Sequence, residues 1–184
     1  MREIREFYNK DSQPTGITYF KGDPMPKGLY SMVVMIAIQN EEDKFLMQKR
    51  SPKKGGNWGV TGGHPKAGED CMQGILSEVK EELGLDMSDH KIEVFNEGWD
   101  GHHCYKMYYT RTNYKIEDMT IQEDELSEVR YFSKEELYSM LDNNQLDENQ
   151  TAFFLKCMEY LKTKGKNEQN KFLIQRRKEK LIGK

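Results

Sequence analysis

Apolar residues in this chain keep two different rhythms, and each marks a kind of element. Residues 32–38 (MVVMIAI) form an unbroken apolar run of strand length, a polar turn follows at 40–43, and 44–50 (KFLMQKR) returns as a second strand. Further strands are predicted at 91–97, 103–112 and 128–132, each rich in β-branched or aromatic residues. Between 69 and 83 the rhythm changes. Met72, Ile75, Leu76, Val79 and Leu83 recur at the i, i+3, i+4, i+7, i+11 spacing of a helix with one buried side, and Gly84 stands where that helix would stop. Ser133 with Glu136 predicts a capping box opening a helix over 134–142. Residues 151–162 predict another helix, with Phe154, Leu155, Met158 and Leu161 on its apolar side. Residues 11–16 are turn material between two short aromatic stretches, which predicts a hairpin within 1–30. No internal repeat is visible. The order of elements predicts an α/β protein: a mixed central sheet in an α/β/α sandwich, with an N-terminal β-hairpin.

Length and charge narrow the class. The 184 residues suit one domain with a core of its own, divided into an N-terminal extended segment (1–30), a main domain (31–163) and a basic tail (164–184). Residues 171–184 carry six basic side chains against one acidic, with apolar residues between them. Such a stretch either docks as an amphipathic helix or frays as a terminus. A net charge of −3 gives no global field favouring nucleic acid or a membrane surface. Cys71, Cys104 and Cys157 are odd in number and widely spaced, which argues against a disulfide framework or a zinc cluster. The first residues carry charges where a signal peptide needs an apolar core, and no apolar run reaches membrane length. A cytoplasmic location is the expectation.

The chemistry concentrates in residues 63–85, GHPKAGEDCMQGILSEVKEELGL. Glu78 lies three and four residues before Glu81 and Glu82, so one side of the predicted helix collects three carboxylates. Like charges at these spacings oppose each other by about 0.2–0.5 kcal/mol per pair, a standing cost unless a cation sits among them. Hard divalent ions such as Mg²⁺ take oxygen ligands of this kind. A glutamate-rich helix face is often just solvated surface. Six fixed Gly and Glu positions, however, recur by chance on the order of once in ten million windows, which removes accident as the explanation. Gly62 and Gly63 let backbone approach a ligand where a side chain would block it.

The segment resembles the signature of the Nudix hydrolases, G-x5-E-x7-R-E-U-x-E-E-x-G-U with U aliphatic. Gly63, Glu69, Glu78, Val79, Glu81, Glu82, Gly84 and Leu85 all match. The arginine slot holds Ser77, which lacks the charge and reach to steady Glu81 from i, i+4. The resemblance implies the α/β/α fold, bound Mg²⁺ or Mn²⁺, and cleavage of a diphosphate bond in a nucleoside diphosphate derivative or related small molecule. It implies Glu78, Glu81, Glu82 and the Gly63 carbonyl as metal ligands. Glu81, Glu82 and Glu125 are the catalytic candidates, with Glu82 or Glu125 as base. Glu125 comes from the acidic triplet 123–125, before the strand EVRYF, where family members often place an acid outside the box. Relatives are often homodimers, and the N-terminal hairpin is a candidate interface.

Substrate contacts are expected from Arg50, Trp58, Gly62 and His64. Lys49, Arg50, Lys53 and Lys54 cluster before the glycine loop, but strand alternation puts Gln48 and Arg50 on one face and Lys49 on the other. Trp58 suits either stacking on a base or packing. The stretch QKRSP (48–52), Trp58, the His64-Pro65 pair and the tyrosine-rich strand are similar to isopentenyl diphosphate isomerase and the hydrolases of its branch. The isomerase cysteine falls on Gly62, however, and its further metal-ligand positions hold Tyr30, Ser31, Met32, His102 and His103. The acid–base pair that protonates a double bond is therefore missing. Two expectations compete: a metal-dependent pyrophosphohydrolase, and a non-catalytic module that binds a nucleotide or diphosphate.

Overall fold

The computed structural model describes residues 3–182, with side chains as far as residue 166. An N-terminal hairpin of β1 (Ile4–Tyr8) and β2 (Pro14–Phe20) precedes the main sheet. That sheet contains β3 (Ser31–Gln39), β4 (Phe45–Arg50), β5 (Trp58–Gly59), β6 (Thr61–Gly63), β7 (Glu93–Trp99), β8 (His103–Arg111) and β9 (Leu126–Phe132). Three helices complete the chain: α1 (Cys71–Leu83), α2 (Lys134–Asp142) and α3 (Glu148–Ile182).

Strand β3 organises the layers because both of its faces are apolar. Met32, Val34, Ile36 and Ile38 pack with Ile75, Val79 and Leu83 of α1, while Ala37 turns the other way to Leu137, Met140, Phe153 and Phe154 of α2 and α3. A helix layer on each side of the sheet gives the predicted α/β/α sandwich. β3 runs parallel to β8 over its whole length, which the long connection through α1 permits. It pairs antiparallel with β6 through Val34, Met35 and Ile36, and its ladder with β4 is the single pair Gln39–Phe45 among the described residues. β4 instead lies between β5 and β9. The sheet thus opens between β3 and β4, and the box loop enters that opening through β6.

Local signals fix α1. The Asp70 side chain accepts from the Gln73 backbone at 2.8 Å, Gln73 returns the bond, and Gly84 ends the helix at φ 71° with its N–H on Lys80. The Ser133–Glu136 capping box opens α2 as predicted. Three readings need correction. The hairpin turn lies at 9–13, where Asn9 accepts through its side chain from Asp11 and Gln13, so Gly16 belongs to β2. β5 and β6 went unread because two- and three-residue glycine-containing strands leave no periodicity. In α3 the buried set is Phe153, Phe154 and Cys157, whereas Leu155 is 49% exposed, and the helix starts at Glu148 and continues to Ile182. It therefore runs through the expected start of the basic tail, whose side chains beyond 166 lie outside the described residues.

Candidate active site

The site forms where α1 faces the opening in the sheet. Burial of Ile75, Val79 and Leu83 on one side of α1 directs Glu78, Glu81 and Glu82 to the other side, toward the strand and loop of residues 61–66. Gly63 makes this approach possible, since a Cβ there would collide with the Glu78 carboxylate. A Cβ on Gly62 would strike the Val34 carbonyl, so that glycine is required by the close β3–β6 pairing.

Each carboxylate has a different environment. Burial, and then the charges of Glu82 and Glu81, push Glu78 from an ordinary 4.5 up to about 7. Burial also raises Glu82, against the pull of Gln48, Arg50 and the Gly62 N–H. Gln48 Nε2 donates to Glu82 at 2.7 Å, and Thr61 Oγ1 donates to Gln48 Oε1 at 2.7 Å, which fixes the orientation of the amide. Glu81 is about half exposed and its carboxylate pairs with the Lys66 ammonium. Among the described residues no three His, Cys, Asp or Glu side chains stand close enough to form a finished metal cage. Glu81 and Glu82 are each engaged by a protein partner instead, Lys66 and Gln48.

Beside Glu82 lies a cavity of about 160 Å³, lined by Gln48, Arg50, Lys54, Gly62 and Glu125 and closed by Asp147 and Gln150 at the start of α3. Glu125 stands across from Glu82, and Lys54 Nζ binds Glu125 Oε1 at 2.7 Å. The two loops that bear this pair are joined by Ser51 N donating to the Glu125 carbonyl and Ser51 Oγ to that of Asp124. Glu123 and Asp124 are exposed. Arg50 and Gln48 share the site face as alternation predicted, while Lys49 sits 5.9 Å from the Trp58 ring on the other face. Trp58 packs edge-on against Phe132 at 4.9 Å, and with Asn57 it separates the small cavity from a larger one of about 560 Å³.

His64 does not line the small cavity. It is half-buried, within reach of the charges of Arg5, Glu3, His103 and Lys21, and burial followed by the Arg5 charge lowers its pKa to about 4. The structure therefore brings Glu82, Gly62, Arg50, Glu125 and Trp58 onto one cavity, with Glu78 against the neighbouring Gly63, while Glu78, Glu81, Gly63 and His64 do not line that cavity. Sequence reasoning missed Lys66, Thr61 and Gln150, whose Oε1 accepts from the Val60 N–H at 3.0 Å. Gly59 was the available signal, because a Cβ there would strike the Gln150 amide.

Residues 29–154 match the NUDIX domain family model. An uncharacterized Nudix hydrolase of Listeria monocytogenes is 28% identical over 149 residues, covering 76% of this chain and 85% of its own length. The fold aligns with a Deinococcus radiodurans protein at TM-score 0.69 and 16% identity, over 85% of this chain and 98% of that one. It also aligns with the NUDIX domain of Shewanella oneidensis NrtR, solved with ADP ribose, at TM-score 0.57 and 20% identity, over 72% and 88%. The carboxylate-bearing helix, the glycine floor and the matched span lead to one assignment: the chain belongs to the Nudix family, as a hydrolase of the Nudix type.

Proposed function

We propose that this protein is a Mg²⁺- or Mn²⁺-dependent pyrophosphohydrolase acting on a nucleoside diphosphate derivative or a related small diphosphate. The observation that carries this reading is Glu78, a half-buried carboxylate with its pKa up at about 7, packed against a glycine that leaves it room and beside two further carboxylates. The donor set is all hard oxygen, and its excess negative charge suits a small divalent cation. Glu78, Glu81, Glu82 and the Gly63 carbonyl would hold it. When bound, such an ion neutralises diphosphate oxygens and acidifies the attacking water.

The protein's own groups do the rest. Gln48 and Thr61 hold Glu82 in one orientation. Arg50 and Lys54 offer cationic N–H donors to phosphate oxygens from the same cavity wall. Glu82 and Glu125 face the cavity from two sides, and one of them takes the proton of the attacking water. The cavity suits a diphosphate group, and the remainder of the substrate extends past Asn57 and Trp58. The NUDIX domain of NrtR, solved with ADP ribose, supports that class of ligand.

The test is a pooled screen of nucleotide sugars, dinucleotides, nucleoside triphosphates and isoprenoid diphosphates with Mg²⁺ and Mn²⁺. Product release is expected from at least one class, and Glu82→Gln should remove nearly all of it without unfolding the protein. Glu125→Gln then decides which carboxylate is the base. Silence across the pool, with ligand-induced thermal stabilisation, would favour a binding module instead.

A further inference from the structure

The departure at Ser77 leaves Glu81 without the cation that the Nudix signature places one helical turn before it. Ser77 does not face Glu81 as a substitute. Its hydroxyl donates instead to Glu69 Oε1 at 2.7 Å, and Glu69 Oε2 accepts from the Lys66 backbone N–H at 2.9 Å. The Glu69 N–H returns to the Lys66 carbonyl at 3.0 Å. From the other side the hairpin grips the same loop: Arg5 bridges Lys66 in antiparallel register, and Ala67 N–H donates to the Ile4 carbonyl at 2.9 Å. The Lys66 backbone is therefore fixed by α1, by Glu69 and by β1 together. Its ammonium binds Glu81 Oε1, and among the described residues no hydrogen bond or ion pair engages the other carboxylate oxygen.

An ion pair whose side chains are 42% and 49% exposed adds little to fold stability. So rigid a mounting for so weak a stabiliser indicates orientation rather than support. We infer that Lys66 is a positioning residue that replaces the absent box arginine. The Ser77–Glu69 clamp sets the loop, and the lysine holds Glu81 beside Glu78 and Glu82 with Oε2 open. Without it, repulsion from the two neighbouring carboxylates would turn Glu81 out into solvent. This inference rests on the reading of Glu81 as a metal ligand.

The experiment is calorimetric titration of Mn²⁺ alone into the metal-free protein. Lys66→Met should weaken Mn²⁺ binding by about tenfold and leave the unfolding midpoint unchanged. Lys66→Arg should keep wild-type affinity, and adding Ser77→Arg to Lys66→Met should restore most of the loss from the position the signature uses. Wild-type affinity in Lys66→Met would overturn the role, as would failure of both arginines to restore it. Absence of Mn²⁺ uptake by the wild-type protein would instead refute the metal reading itself. Uptake that Glu82→Gln abolishes, with no response at Lys66, would remove Lys66 alone.

Discussion

Two half-buried glutamates on opposite sides of the sheet sit at opposite ends of the carboxylate range. Glu78 is raised to about 7 by burial and by the charges of Glu82, Glu81 and Glu3, which outweigh the opposing charge of Lys66. Glu93, on β7, is lowered to about 2 because Lys164, Lys91 and Tyr160 all donate to it. Two of those donors come from α3, so this cluster fastens the long helix to the edge of the sheet. The second glutamate is what a structural carboxylate looks like, with every charge answered. The first keeps an excess of negative neighbours that Lys66 does not balance, the mark of a group arranged for something other than stability.

Substitution should break the comparison most sharply. Glu78→Gln is expected to lower turnover by at least about a hundredfold while raising the unfolding midpoint of the metal-free protein by about 3 °C, because it removes like-charge repulsion. Steady-state kinetics and thermal melts of one preparation check both signs. A drop in midpoint would mean that Glu78 is an ordinary structural residue.

Acidity separates the two next. Glu78 has a folded pKa above its unfolded value, so its ionisation costs stability progressively as pH rises from about 4.5 to about 7. Over the same window Mn²⁺ affinity should climb, by up to about tenfold per pH unit, since the proton and the cation compete for one carboxylate. Glu93 is already ionised there and contributes no slope. Calorimetry from pH 5 to pH 8, roughly one unit per step, reads the effect, and a flat profile would exclude Glu78 from the metal site.

Glu93→Gln should act in the opposite sense to Glu78→Gln. Loss of about 1 kcal/mol is expected, seen as a lower midpoint with Mn²⁺ uptake unchanged. A separate test, confined to acid pH, belongs to His64, whose pKa of about 4 lies below its ordinary 6.5. Stability present above pH 6.5 is then lost as pH falls toward 4, and His64→Gln should flatten that decline in a melt series.

Much of this was legible in the chain, for stated reasons. The 3.6-residue period of Met72 to Leu83, the Asp70 and Ser133 caps and the terminal Gly84 act within a few residues of one another, so α1 and α2 emerged with their ends. The apolar run of β3 announced a strand covered on both faces. What was missed acts over distance. Lys66 meets Glu81 across 15 residues, Gln48 meets Glu82 across 34 and Gln150 meets Val60 across 90, and no period connects such pairs. His64 follows the box glycine directly, yet it does not line the small cavity and instead feels the charges of Arg5 and Glu3. Leu155 fell outside the core because Phe153, Phe154 and Cys157 are the side of α3 that packs on α2 and the sheet.

By itself the sequence determined that three carboxylates would share one helix face above a glycine floor, because helix geometry and side-chain volume are local properties. Only the tertiary structure decided which of them is starved of partners and which is held. That depends on burial and on where the chain returns: β4 bringing Gln48 to Glu82, the hairpin fixing Lys66 at Glu81, and Gly63 leaving room for Glu78.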